Sequence, residues 1–159
     1  MRKLPALENA RAIMSQGMEW GVWKWVTEKQ RVRHSADEAR AALDEQEKKV
    51  KATWSEDLKQ AYNHLLSEDG DGKRKRKNGA AGKNGKSATV DHQLMESVQR
   101  VMKADDEAYD AHETAEEAFA EAEQKMSTAL AREGARKALV AYDLHEGAIR
   151  QAEALSRAK

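Results

Sequence analysis

The stretch "VWKWVTEKQRVRHSADEARAALDEQEKKV", residues 22–50, decides the fold. Val22, Trp25, Lys29, Val32, Ala36, Ala39, Leu43, Gln46 and Val50 recur in alternating steps of three and four, which is the seam of a heptad helix. Trp54, Leu58, Ala61 and Leu65 extend the stripe after one four-residue stutter, so the spacing predicts a continuous helix to about residue 66. A second stripe of the same kind runs Leu94, Val98, Val101, Asp105, Ala108, His112, Ala115, Phe119, Ala122, Met126 and Ala129. Leu139, Tyr142, Ile149 and Ala152 prolong it, with Gly134 and Gly147 as weak points that each cost about 1 kcal/mol against alanine.

The rest of the composition agrees with long helices. Of 159 residues 35% are charged and only 5% aromatic, and the single proline is Pro5. There is no cysteine, which removes disulfides, thiolate catalysis and cysteine-based zinc sites. Formal net charge is zero, so the total implies neither nucleic acid nor an anionic membrane as partner. The segment "MRKLPALENARAIMSQG" is too polar for a signal peptide, and no apolar run is long enough to span a membrane. A cytoplasmic location is therefore expected, or a nuclear one in a eukaryote.

These patterns predict an all-α fold: a long antiparallel coiled-coil hairpin, in which a first helix over residues 5–66 and a second over 89–158 flank a basic, glycine-rich loop at 67–88. Each helix would be about 60 to 70 residues, or about 90 to 105 Å at 1.5 Å per residue. Two copies can then join into a four-helix assembly. Placing Ala39 opposite Phe119 also sets Gln46 opposite His112 and Val32 opposite Met126. The competing architecture is a compact four-helix bundle with breaks near Ser35, where Ser-x-x-Glu reads as a capping box, and near Gly134.

Few motifs carry chemistry. "GKNGKS" at 82–87 lacks the glycine that a phosphate-binding loop needs at position 80, where Ala80 stands, and no strand precedes it. The "EDGDG" before it lacks the glutamate that closes a calcium loop. Lys73, Arg74, Lys75, Arg76 and Lys77 form a run that could contact phosphates or an acidic partner, but no aromatic residue is interleaved to stack on a base, which favours a solvated linker. Nine acidic residues between Lys103 and Lys125 face no cation of their own segment. Arg31, Arg33, Arg40, Lys48, Lys49 and Lys51 are expected to balance them across the hairpin.

No histidine follows a glutamate by three residues, so the pattern of carboxylate-bridged metal sites is missing, and neither metal ligands nor a cofactor are expected. Lys29, Gln46, Asp105 and His112 read instead as a polar seam that fixes register. On that reading, leucine at Asp105 or His112 should raise stability. Trp20 and Trp23 lie off the seam beside Gly17 and Gly21, and they predict a further packing surface, against the chain's own C-terminal segment folded back at Gly134, a second copy or another protein. The function that follows is a non-enzymatic structural or protein–protein interaction protein. A nucleic-acid-associated protein using the basic loop is the alternative, and a metal- or ligand-binding bundle the third.

Overall fold

A computed structural model describes residues 4–70 and 92–158. It is all-α, with five helices among the described residues: α1 (Pro5–Gly17), α2 (Val22–Ala52), α3 (Glu56–Gly70), α4 (His92–Lys125) and α5 (Thr128–Ala158). No described helix is long and apolar enough to cross a membrane.

The predicted first helix is divided into three. Pro5 opens α1 where its missing N–H costs nothing, and Leu7, Ala10, Ile13 and Met14 form one buried face. The chain then turns at residues 18–21, and Gly21 caps α2 in an extended conformation. Two glycines weaken a continuous helix here, and folding α1 back onto α2 and α5 buries its apolar face. The second division falls at the stutter. Thr53 and Trp54 donate their backbone N–H groups to Val50 and Lys51 at 3.0 and 3.1 Å, closing α2, and the Ser55 hydroxyl accepts the Leu58 N–H to open α3. The Trp54 indole holds the corner, donating to the Ala152 carbonyl on α5 at 2.8 Å.

The second predicted helix also breaks, at residues 126–127 and not at Gly134. Met126 adopts φ 51°, and Ser127 N–H reaches back to Ala122 O at 3.0 Å. This is the six-to-one bond of a left-handed helix cap. Ser127 Oγ then accepts the Leu130 N–H and starts α5. Met126, assigned by spacing to the seam, is instead 54% exposed. Gly134 lies inside α5, where a Cβ would meet the Phe119 ring at 2.8 Å: the glycine is a notch for the ring. Ser35 is no cap either, since α2 runs through it and its hydroxyl bonds back to Val32 O at 3.0 Å.

α4 therefore folds back on α5, and the packing is that of a helical hairpin or bundle. α2 runs antiparallel to α4, as Arg33 to Glu123 (2.8 Å), Arg40 to Glu116 (2.8 Å) and Lys51 to Asp105 (2.9 Å) show. It runs parallel to α5, α1 lies antiparallel to α5, and α3 packs on α4. Alanines at 108, 115 and 122 on α4 and at 131, 135, 138, 141, 148 and 152 on α5 are buried, which lets these helices approach closely.

Candidate functional site: a buried polar centre

Where α2, α4 and α5 meet, the apolar core is interrupted by a connected polar group. On α2, Asp44, Glu47 and Lys51 follow at i, i+3 and i+7 and share one face; Asp105 and His112 do the same on α4, and His145 comes from α5. His112 Nε2 lies 3.0 Å from His145 Nδ1, and His145 Nε2 lies 3.1 Å from Glu47 Oε1 and 3.6 Å from Asp44 Oδ1. Lys51 Nζ sits 3.1 Å from Glu47 Oε2 and 2.9 Å from Asp105 Oδ2, and donates to Tyr62 Oη on α3 at 3.1 Å. His112, His145 and Glu47 are buried, whereas the Asp44 side chain is 63% exposed. A cleft of about 330 Å³ opens over the centre, lined also by Arg40, Asp106 and Tyr109.

The electrostatics follow from one cation facing two carboxyl groups. Burial pulls the Lys51 ammonium down, but Asp105 and Glu47 together hold it above its ordinary value. Burial pushes Asp105 up to about 8, helped by its hydrogen bond and repulsion with Glu47 and opposed by Lys51. For Glu47 burial also acts upward, but His145, Asp105 and Lys51 outweigh it and bring the group down to about 2. At neutral pH the pair therefore shares one proton, held by Asp105, and carries the single negative charge that Lys51 balances. That proton lies in the hydrogen bond between the Glu47 and Asp105 carboxyl groups. His112 is lowered to about 3 by burial, then by His145 and Arg40, and is neutral. Glu47 accepts from His145 Nε2–H, and the other ring nitrogen of His145, Nδ1, shares a hydrogen bond with His112 Nε2, so the three side chains link α4 to α2 through α5.

Of the predicted polar seam, the structure brings Asp105 and His112 into this centre. The expected facing of Gln46 and His112 is replaced by His112 and His145, because α5 and not α2 is the close neighbour of α4. Gln46 is half-buried in a separate groove with Thr53, Glu153 and Ser156, and Lys29 is half-buried on α2. Asp44, Glu47 and His145 were not anticipated. Asp44 and Glu47 carry a sequence signal, the i, i+3, i+7 spacing they share with Lys51 beside Leu43 and Val50, whereas His145 joins them only because α5 packs on α2.

The predicted interface residues are divided. Trp20 is half-buried against the core, and its carbonyl accepts two bonds from Arg132, at 3.2 and 2.6 Å. Trp23 is 76% exposed beside Val22 at 61%. Gly17 and Gly21 border the α1–α2 turn, and a Cβ on Gly21 would meet nothing within 4 Å. Arg33, Arg40 and Lys51 do meet the acidic residues of α4, whereas Arg31 pairs with Glu28 on its own helix. Lys73, Arg74, Lys75, Arg76 and Lys77 lie outside the described residues. No family model matches the chain, and no curated protein or solved structure matches it either.

Proposed function

We propose that the chain is a non-enzymatic interaction protein that pairs with a second copy of itself through the end of the bundle formed by the α1–α2 and α4–α5 turns. The observation that carries this reading is Trp23, 76% exposed beside Val22, with Met126 exposed in the other turn at the same end. A tryptophan side chain offers about 150–250 Å² of surface to cover and is enriched where binding energy concentrates. A formal net charge of zero leaves no net repulsion between copies. A two-fold contact would set one Trp23 patch against the other.

Sedimentation equilibrium on wild type and Trp23→Lys tests the reading. A reversible dimer in the micromolar range, shifted to monomer by Trp23→Lys with unchanged circular dichroism, is expected. A wild-type monomer throughout that range, or a dimer indifferent to the substitution, refutes it; the exposed patch would then serve a different protein or none.

A further inference from the structure

We infer that Asp44, Glu47 and His145 form a binding site for one divalent transition-metal ion of the zinc class, open to solvent through the cleft over α2 and α4. The three donor atoms all lie within 4.8 Å of one another. His145 Nε2 stands 3.1 Å from Glu47 Oε1 and 3.6 Å from Asp44 Oδ1. Donors about 2.0–2.2 Å from a common ion stand roughly 3 to 3.5 Å apart, so small side-chain adjustments close the set. Asp44 and Glu47 hold their spacing because they share one face of a regular helix.

Two further features belong to a metal site more than to an exposed acidic cluster. His145 is 5% exposed, and its other ring nitrogen, Nδ1, already faces His112 Nε2 at 3.0 Å. A hydrogen-bond partner on the far side of a ligating imidazole fixes its tautomer and orientation. The cleft of about 330 Å³ reaches all three donors, with the exposed Asp44 on its outer side. It provides both a path for the ion and room for water in the remaining coordination positions. An imidazole with two carboxylates favours zinc, cobalt, nickel or iron over magnesium or calcium, which take oxygen donors alone.

Metal binding has a consequence at His112. Without the ion, His145 Nε2–H points to Glu47, and His145 Nδ1 shares a hydrogen bond with His112 Nε2. The ion takes the Nε2 lone pair of His145, so its proton must reside on Nδ1 and be donated to His112 Nε2. Ligation therefore removes the Nε2 proton that Glu47 accepts and fixes the bond between the two histidines in one direction, from His145 Nδ1–H to His112 Nε2.

The test is titration of the metal-stripped full chain with Zn²⁺ by calorimetry, together with ¹⁵N spectra of the two imidazoles. One ion per chain and a His145 that loses its Nε2 proton and carries one on Nδ1 are expected. Asp44→Asn should weaken binding at least tenfold, and because Asp44 is mostly exposed the variant keeps the fold. His112→Gln should weaken it about 10- to 100-fold. The exposed His34–Glu38 pair, at 3.1 Å, is the competing surface site, and His34→Ala should leave affinity unchanged. Binding that survives Asp44→Asn, binding lost in His34→Ala, or a His145 that keeps its Nε2 proton on adding zinc would each overturn the assignment.

Discussion

Tyr142 is the largest of the fully buried side chains, and its hydroxyl has no hydrogen-bond partner among the described residues. Burial raises its phenol above the ordinary range. An unmatched buried hydroxyl costs about 1–3 kcal/mol, so Tyr142→Phe should raise stability by about 1 kcal/mol in chemical denaturation. His112 is the reverse case. The heptad reading expected leucine there to stabilise, but His112 has a partner: removing it strands His145 Nδ1, and His112→Leu should cost about 1–3 kcal/mol. The polar centre also sets a pH profile. Glu47 and His112 have folded values below their ordinary 4.5 and 6.5, so their stabilisation is present above those values and is lost as pH falls. Asp105 is raised from 3.8 to about 8, so its contribution is present at low pH and is lost as pH rises through 8. Between about pH 4.5 and 6.5 folded and unfolded chains hold equal numbers of protons on these three groups, and the profile is flat. Above 6.5 Asp105 alone sets the slope. Melting temperature should therefore fall from pH 6.5 to 8 in wild type, and Asp105→Asn should flatten that limb.

At the scale of elements, Met126 in the α4–α5 turn and Gly134 inside α5 make opposite predictions about glycine. Met126 holds a left-handed φ that costs an ordinary residue about 1–2 kcal/mol, and its side chain is largely in solvent. Met126→Gly should stabilise the α4–α5 hairpin by up to about 1 kcal/mol in a thermal melt. Gly134→Ala gains about 1 kcal/mol of helix propensity but drives a methyl into the Phe119 ring, and overpacking of that kind costs about 1–3 kcal/mol. The variant should be less stable, and adding Phe119→Leu should remove most of the penalty that the alanine carries. Helix content and buried faces were legible here: Trp25, Val32, Ala39, Leu43, Val50, Val98, Val101, Ala115 and Phe119 are all buried as their spacing implied. The breaks were not. Leu7 to Met14 can bury their face only by folding back, and nothing in the local sequence of 126–127 announces a left-handed residue when that residue is methionine.

For the whole molecule, the decisive difference is which helices are neighbours. In a single helix over 89–158, Arg100 and Ala154 would stand about 80 Å apart at 1.5 Å per residue. In the bundle both lie on the α4–α5 hairpin at heights close to the pairing of His112 with His145 and Phe119 with Gly134, with helix axes about 8–10 Å apart. The chain has no cysteine, so Arg100→Cys with Ala154→Cys gives a clean pair of spin labels. Their separation should lie within about 20–25 Å, allowing for the label arms; a distance several times greater would restore the long hairpin.

The sequence by itself determined that this protein is all-α among its described residues, because heptad spacing and helix-favouring residues act locally and every turn of helix satisfies its own backbone. It also determined that α2 opposes α4, since arginine and lysine on one and aspartate and glutamate on the other attract whatever joins them. Only the tertiary structure decided where the helices end and that α5 lies beside both α2 and α4. Those choices rest on burial gained at a distance, which local spacing does not encode. The polar centre has the same origin: Asp44, Glu47, Asp105, His112 and His145 are unremarkable on three separate helices, and they become one site only when α5 folds back at Met126.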